Sequence, residues 1–260
     1  MDLEEGYNGG DNTNGKGRGG MVWLAMGGSA VLAGLIQSMT GFGAAVTMML
    51  VAPYFFNMLQ APALVTAICL GLSVMLVWRF RRLVDLRHTL PLIVLYSLTS
   101  MTAIQVAFSL DLRVLTVAFG VFLIVLALYY LLLANSFTLR PTRLTGVVCS
   151  VAAGAGAGLF GTGGPMMAMY FLGAVKEKEA YVANLQFVFA VTNTVNLVVR
   201  LYKGIYTLDL LPLTIVGVIG INLGKLMGLR ILDRIDIALM RKIVYIFIGL
   251  SGVLTVAGQL

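Results

Sequence analysis

Residues Ala152 to Pro165 read AAGAGAGLFGTGGP, with six glycines and a closing proline set between two apolar runs. Such a composition breaks regular backbone, and at membrane depth a break is tolerated only where the freed backbone groups are buried in protein or line a watery cavity. An earlier stretch carries the same pattern. Ala33, Gly34, Gly41 and Gly43 recur at Ala153, Gly154, Gly161 and Gly163, each 120 positions later (154 minus 34). The chain is therefore a duplication whose two breaks are counterparts.

A soluble domain carries about a quarter of its residues as Asp, Glu, Lys and Arg. Here 11% are charged, 59% are hydrophobic and the mean hydropathy is +0.95. Apolar runs of the ~20 residues that cross a bilayer as helix recur along the chain. They are continuous rather than alternating, which excludes a β-barrel. The fold class is an all-α polytopic membrane protein, with the lipid bilayer as its surroundings.

Lys and Arg outnumber Asp and Glu by 18 to 11, but they stand in short clusters between apolar runs. That pattern encodes topology, not a nucleic-acid face. Cys69 and Cys149 lie inside apolar stretches with no second Cys or His at ligand spacing and read as packing thiols. His88 is the only histidine. No metal, cofactor or catalytic group is expected on this basis.

Residues 1–20 are polar and rich in Gly and Asn, and read as a disordered tail. A first membrane repeat, 21–134, opens with a glycine-broken segment. Its half-helices are expected near Val22 to Ser38 and Ala44 to Asn57, each too short to span comfortably. Spans near Ala61 to Phe80, Thr89 to Ser109 and Leu112 to Leu133 follow. After a cytoplasmic linker, 135–143, the second repeat (144–260) restarts with a broken segment to Leu172. Spans near Ala180 to Val199, Leu210 to Leu229 and Ile237 to Ala257 complete it.

At a shift of 121, Pro91 matches Pro212, and Thr99, Ala103 and Ala107 fall opposite Gly220, Gly224 and Gly228. These small-xxx-small faces let helices approach closely in lipid. The two helices should pack on each other or on the broken elements, and the faces are compatible with a homodimer.

Basic residues in short loops set orientation. Arg79, Arg81, Arg82 and Arg87 mark one loop as cytoplasmic, and Arg140 and Arg143 mark the linker. In the second half the loop at Arg230 to Lys242 carries four basic residues against two at Arg200 to Asp209. The halves then face opposite ways, as two inverted repeats, each one glycine-broken element (re-entrant or paired half-helix) plus three transmembrane helices. Were each broken element a full span, the halves would be parallel and the spans eight.

Proline is favoured at the first helical position, so a half-helix is expected to start at Pro165 with its free amides pointing into Gly161, Thr162, Gly163 and Gly164. Helix N-termini carry about half a positive charge and hold anions on bare amides. The counterpart end lies at Gly41 and Gly43, with Ser38, Thr40 and Thr162 as hydroxyl donors. Gly154, Gly156 and Gly158, spaced by two, read instead as packing residues. On the helix after the second break, Gln186, Asn193 and Asn196 share one face, and buried amides demand partners. They serve either a substrate or interhelical hydrogen bonds. Lys225 is the one cation that falls at depth, at a cost of about 3 kcal/mol; it either faces an anion or snorkels to the interface.

The segments AGLIQSMTGFGAA (Ala33 to Ala45) and AGAGAGLFGTGGP (Ala153 to Pro165), with the Leu-Pro-Leu helix starts and the basic linker, resemble the sulfite exporter TauE/SafE family, also called the toluene sulfonate uptake permease group. The resemblance implies a multi-pass carrier of the cytoplasmic (inner) membrane that moves small sulfur-containing anions such as sulfite, sulfoacetate or thiosulfate. GFGAA in the first break stands where the second has GTGGP, so the proline-started half-helix is expected once. A secondary transporter working by alternating access follows, with the anion at mid-depth between the repeats. A membrane enzyme finds no Ser-His pair or zinc motif to support it; the alternatives are a non-transporting assembly subunit or a carrier of an unrelated small anion.

Overall fold

The computed structural model describes residues 15–132, 140–231, 252–253 and 255–258. The first part of the expected tail, residues 133–139 at the end of the first repeat and the start of the linker, and most of the last expected span lie outside the described residues. In order, the chain forms α1 (Gly15–Thr40), α2 (Ala44–Met49), α3 (Gln60–Phe80), α4 (Leu86–Ser109) and α5 (Leu112–Leu132). Then come α6 (Arg143–Phe160), α7 (Gly164–Ala174), α8 (Lys178–Tyr202) and α9 (Leu211–Ile231), with short 3-10 turns at Ala52–Tyr54, Arg81–Leu83 and Leu208–Leu210. No strand occurs among the described residues. Six of these stretches are long and apolar enough to cross a membrane: Gly20–Ser38, Gln60–Leu83, Leu86–Ser109, Arg143–Phe160, Lys178–Tyr202 and Leu208–Gly228.

Local chemistry sets the boundaries. Asp85 caps α4 by accepting from the His88 amide, and Thr142 and Thr145 form a reciprocal capping box at the start of α6. α6 ends at Gly161 with φ 70°; its amide and that of Thr162 donate back to the Ala157 and Gly156 carbonyls at 2.9 and 3.1 Å. Only glycine takes this left-handed turn without strain. Pro165 sits in the first turn of α7, as expected of a helix start.

The expected elements need three corrections. α1 begins at Gly15, so residues 15–20 belong to its ladder rather than to a tail. The pieces before the breaks are not half-length: α1 has 26 residues and α6 has 18, whereas α2 has 6 and α7 has 11. As expected of packing residues, Gly154 and Gly158 stay helical where α4 lies so close to α6 that a Cβ has no room, while Gly156 faces the Thr162 carbonyl. An atom added at Gly154 would lie 2.6 Å from the Tyr96 carbonyl, and one at Gly158 would lie 2.5 Å from that of Ser100. α2 also stops early, at Met49 rather than Asn57. Pro53, which lacks an amide hydrogen and restricts its predecessor, stands in the tight turn that follows.

The small-residue faces of α4 and α9 pack on the broken elements. Gly154 and Gly158 of α6 meet Thr99 and Ala103 of α4, so these two helices run the same way. Gly27 of α1 faces Gly220 of α9, and Val31 faces Gly224, so that pair is parallel too. The central pair runs oppositely. Ser73, near the end of α3, bonds Gln186 near the start of α8, while Leu59 at the foot of α3 meets Arg200 at the far end of α8. Gly120 of α5 faces Gly252 and Val256. Outward-facing apolar residues such as Leu90, Val94 and Leu98 leave a surface suited to hydrocarbon.

Candidate functional site

A cavity of about 230 Å³ lies where the first break meets α3, α8 and α9. Its inner wall is Gln37, Ser38 and Gly41 from the break with Gln186 from α8, and Leu72 and Leu76 line it from α3. Arg79, Phe80, Lys178 and Glu179 surround its outer part, at the end of the molecule that carries the 81–88 loop. Lys225 of α9 completes it.

Lys225 is only 6% exposed, and its ammonium reaches the Met75 thioether at 3.1 Å. Sulfur is a weak acceptor. No ion pair to a carboxylate forms at Lys225 among the described residues, and no Asp or Glu is among their buried residues. A desolvated cation held against a cavity with Arg79 and Lys178 nearby gives that space a positive field, since charges interact more strongly away from water. Glu179 is the single carboxylate of the lining.

Two amides fix the break that forms the inner wall. Gln186 Nε2 donates to the Gly41 carbonyl at 2.9 Å, and Gln186 Oε1 accepts from Ser73 Oγ at 3.0 Å and from Gln37 Nε2 at 3.4 Å. Gln37 Oε1 then accepts from the Ala44 amide at 3.1 Å. Thr40 Oγ1 serves the Phe42 amide and carbonyl. The first break thus has amides already satisfied by side chains of its own neighbourhood. Gly41, at φ 81°, lies so close to the Tyr181 ring that an added Cβ would sit 2.7 Å away.

The second break lies apart from this cavity. Gly164 meets Phe42 and Phe189, and Gly163 is wedged under the Tyr96 side chain and the Ala153 carbonyl. Gly161 packs on Pro62. Thr162 is buried, and its hydroxyl has no hydrogen-bond partner among the described residues. The cavity therefore brings together Ser38, Gly41, Gln186 and Lys225 of the expected residues. Thr40, Gly43, Gly161, Thr162, Gly163, Gly164, Asn193 and Asn196 do not line it. Asn196 Oδ1 accepts from Ser100 Oγ at 2.6 Å, the interhelical alternative, and Asn193 is half-buried.

Gln37, Arg79 and Lys178 were not among the expected site residues. Gln37 had a signal, being an amide inside the apolar run of α1 just before the break; Arg79 read as a cytoplasmic anchor, and Lys178 carried no signal of its own. Arg200, expected in a loop, is instead inside α8 and 1% exposed. Its guanidinium donates to the carbonyls of Leu59 (3.3 Å), Ala157 (3.4 Å) and Gly158 (2.8 Å). The last carbonyls of α6 supply the negative end of a helix dipole, so the charge is drawn inward.

A multi-pass helical membrane protein with a cationic cavity at a broken helix is the class these features define. The family model described as sulfite exporter TauE/SafE matches residues 26–255, and the chain belongs to that family. Its members are membrane transporters of sulfite or related anions, not enzymes. Neither the curated proteins nor the solved structures yielded a match.

Proposed function

We propose that this chain is a secondary transporter that exports a small sulfur oxyanion or an organosulfonate such as sulfoacetate across the cytoplasmic membrane, loading it in the cavity at the first break. The observation that carries this reading is Lys225, a buried ammonium that contacts a thioether and forms no ion pair with a carboxylate among the described residues. An anion entering the cavity would supply the missing countercharge, and Ser38 would offer a hydroxyl.

The halves act as inverted repeats. Support comes from the counterpart helices α3 and α8, which run in opposite directions, while α1 lies parallel to α9 and α6 to α4. α1 and α2 then enter and leave on one side, and α6 and α7 on the other. Sidedness follows from the charges. Exposed Arg79, Arg81, Arg82, Arg87, Arg140, Arg143, Lys176 and Lys178 gather at the end where α4 and α6 begin, against Arg113, Lys203 and the Lys16 and Arg18 positions of the first α1 turn at the opposite end. By the positive-inside rule the first end is cytoplasmic. The cavity opens there, as an exporter's loading site would.

Purified protein in liposomes loaded with sulfite tests this. Flux well above that of protein-free vesicles, lost in Lys225→Met, is the expected result. Flux equal to the protein-free level for sulfite, sulfoacetate and thiosulfate alike would overturn it.

A further inference from the structure

Phe80 lines the cavity, and its counterpart 120 positions on (200 minus 80) is Arg200. The three carbonyls that hold Arg200 belong to Leu59, Ala157 and Gly158. At the same displacement these are the counterparts of Glu179, Gln37 and Ser38, which all line the cavity. So the place in the second repeat that corresponds to the open cavity is occupied, and its occupant is a guanidinium.

We propose that Arg200 seals a second anion site, the outward-facing counterpart of the cavity at Lys225, and becomes the anion ligand of that site when it opens. The inference rests on the transporter reading above. In inverted-repeat carriers one repeat rocks or gates against the other as access alternates, and by the symmetry of the halves the second can take up the arrangement that the first shows here. The state described here has the cavity open at the basic end and Arg200 bonded across the other. In the opposite state Arg200 parts from Leu59 and from the end of α6, and a buried guanidinium released from its acceptors requires a new partner. A sulfur oxyanion fits that need, because the planar fork of Arg matches paired oxygens. Arg200 also keeps one donor in hand: Nε is buried and has no partner among the described residues. Thr66, the counterpart of Gln186 (186 minus 120), would be uncovered with it.

The test is side-specific labelling with a membrane-impermeant maleimide in right-side-out and inside-out vesicles. Cys69 and Cys149 are first replaced by Ser, and then Thr66→Cys reports the outer side and Ser38→Cys the cytoplasmic cavity. Loss of one hydrogen bond to a charged group shifts an equilibrium by about tenfold or more. Arg200→Gln should therefore raise Thr66→Cys labelling from the outer side by up to about tenfold, with only a small fall at Ser38→Cys while the inward-open state stays the major one. Unchanged labelling at both probes in a folded Arg200→Gln protein would overturn the proposal. If that variant does not fold, the protein with Arg200 intact still decides. Its Thr66→Cys must react from the outer side during sulfite turnover, and complete protection through many turnovers would overturn the proposal too. The labelling switch in Arg200→Gln needs no substrate, so a failure of sulfite flux alone counts against the substrate and not against the gate.

Discussion

Gln186 Nε2 donates to the Gly41 carbonyl at 2.9 Å across 145 positions of sequence. The break is thereby tied to α8, and through Ser73 the same side chain ties it to α3. Gln186→Leu leaves the Gly41 carbonyl and the Ser73 hydroxyl unpaired in a buried setting, at a cost of about 1–3 kcal/mol for each orphaned group. A lower melting temperature in detergent and slower flux should result. An unchanged melting temperature would mean that the break holds its shape without this clamp.

Lys225 separates stability from binding. Removing an uncompensated buried charge is neutral or stabilising, so Lys225→Met should melt no lower than the parent protein without substrate. The substrate effect is the discriminating one. A ligand at a hundredfold excess over its Kd stabilises by about 2.7 kcal/mol, and this sulfite-dependent gain should vanish in Lys225→Met. If the gain survives, Lys225 does not touch the anion.

Glycines along the α1–α9 seam should differ by position. A Cβ at Gly224 would overlap the Val31 carbonyl, and one at Gly34 would overlap that of Ile221. Gly224→Ala and Gly34→Ala should each cost about 1–3 kcal/mol through forced separation of the helices. Gly28, on the same α1, has nothing within 4 Å of an added Cβ. Gly28→Ala should be tolerated or gain up to about 1 kcal/mol from helix propensity. Equal losses at all three sites in a denaturation series would refute close packing as the cause.

Much of this fold was legible in the residues, because the signals were one-dimensional. Apolar run length marked α3, α4, α8 and α9 as long enough to cross a membrane, and the 120-position repeat marked α6 as the counterpart of α1 and α8 as that of α3. What stayed hidden depends on distance. Arg200 looks like a loop cation until three carbonyls from remote positions surround it. At the site, Lys225 and Gln186 stood out as polar groups in apolar runs. Arg79 and Lys178 did not, since a basic residue at a helix end has the same local signature whether it faces lipid headgroups or a cavity.

Asn184 gives the cytoplasmic end its own test. Its Oδ1 accepts from the Asp85 amide at 2.7 Å, and its Nδ2 donates to Ala180 O at 2.8 Å and Leu83 O at 3.4 Å. One side chain therefore spans from the start of α8 to the exposed basic loop that leads into α4. The contact matters because Arg79 and Phe80, at the base of that loop, also line the cavity. Asn184→Leu removes the acceptor of a buried contact, worth about 1.4 kcal/mol within the usual range for hydrogen bonds. If local opening governs amide exchange in this loop, exchange at residues 81–88 should quicken by about tenfold while exchange in α1 and α9 stays as it was. Uniform acceleration through all helices would instead make Asn184 a determinant of global stability, and no acceleration would mean that the loop is held by Asp85 and its capping bond to His88 alone.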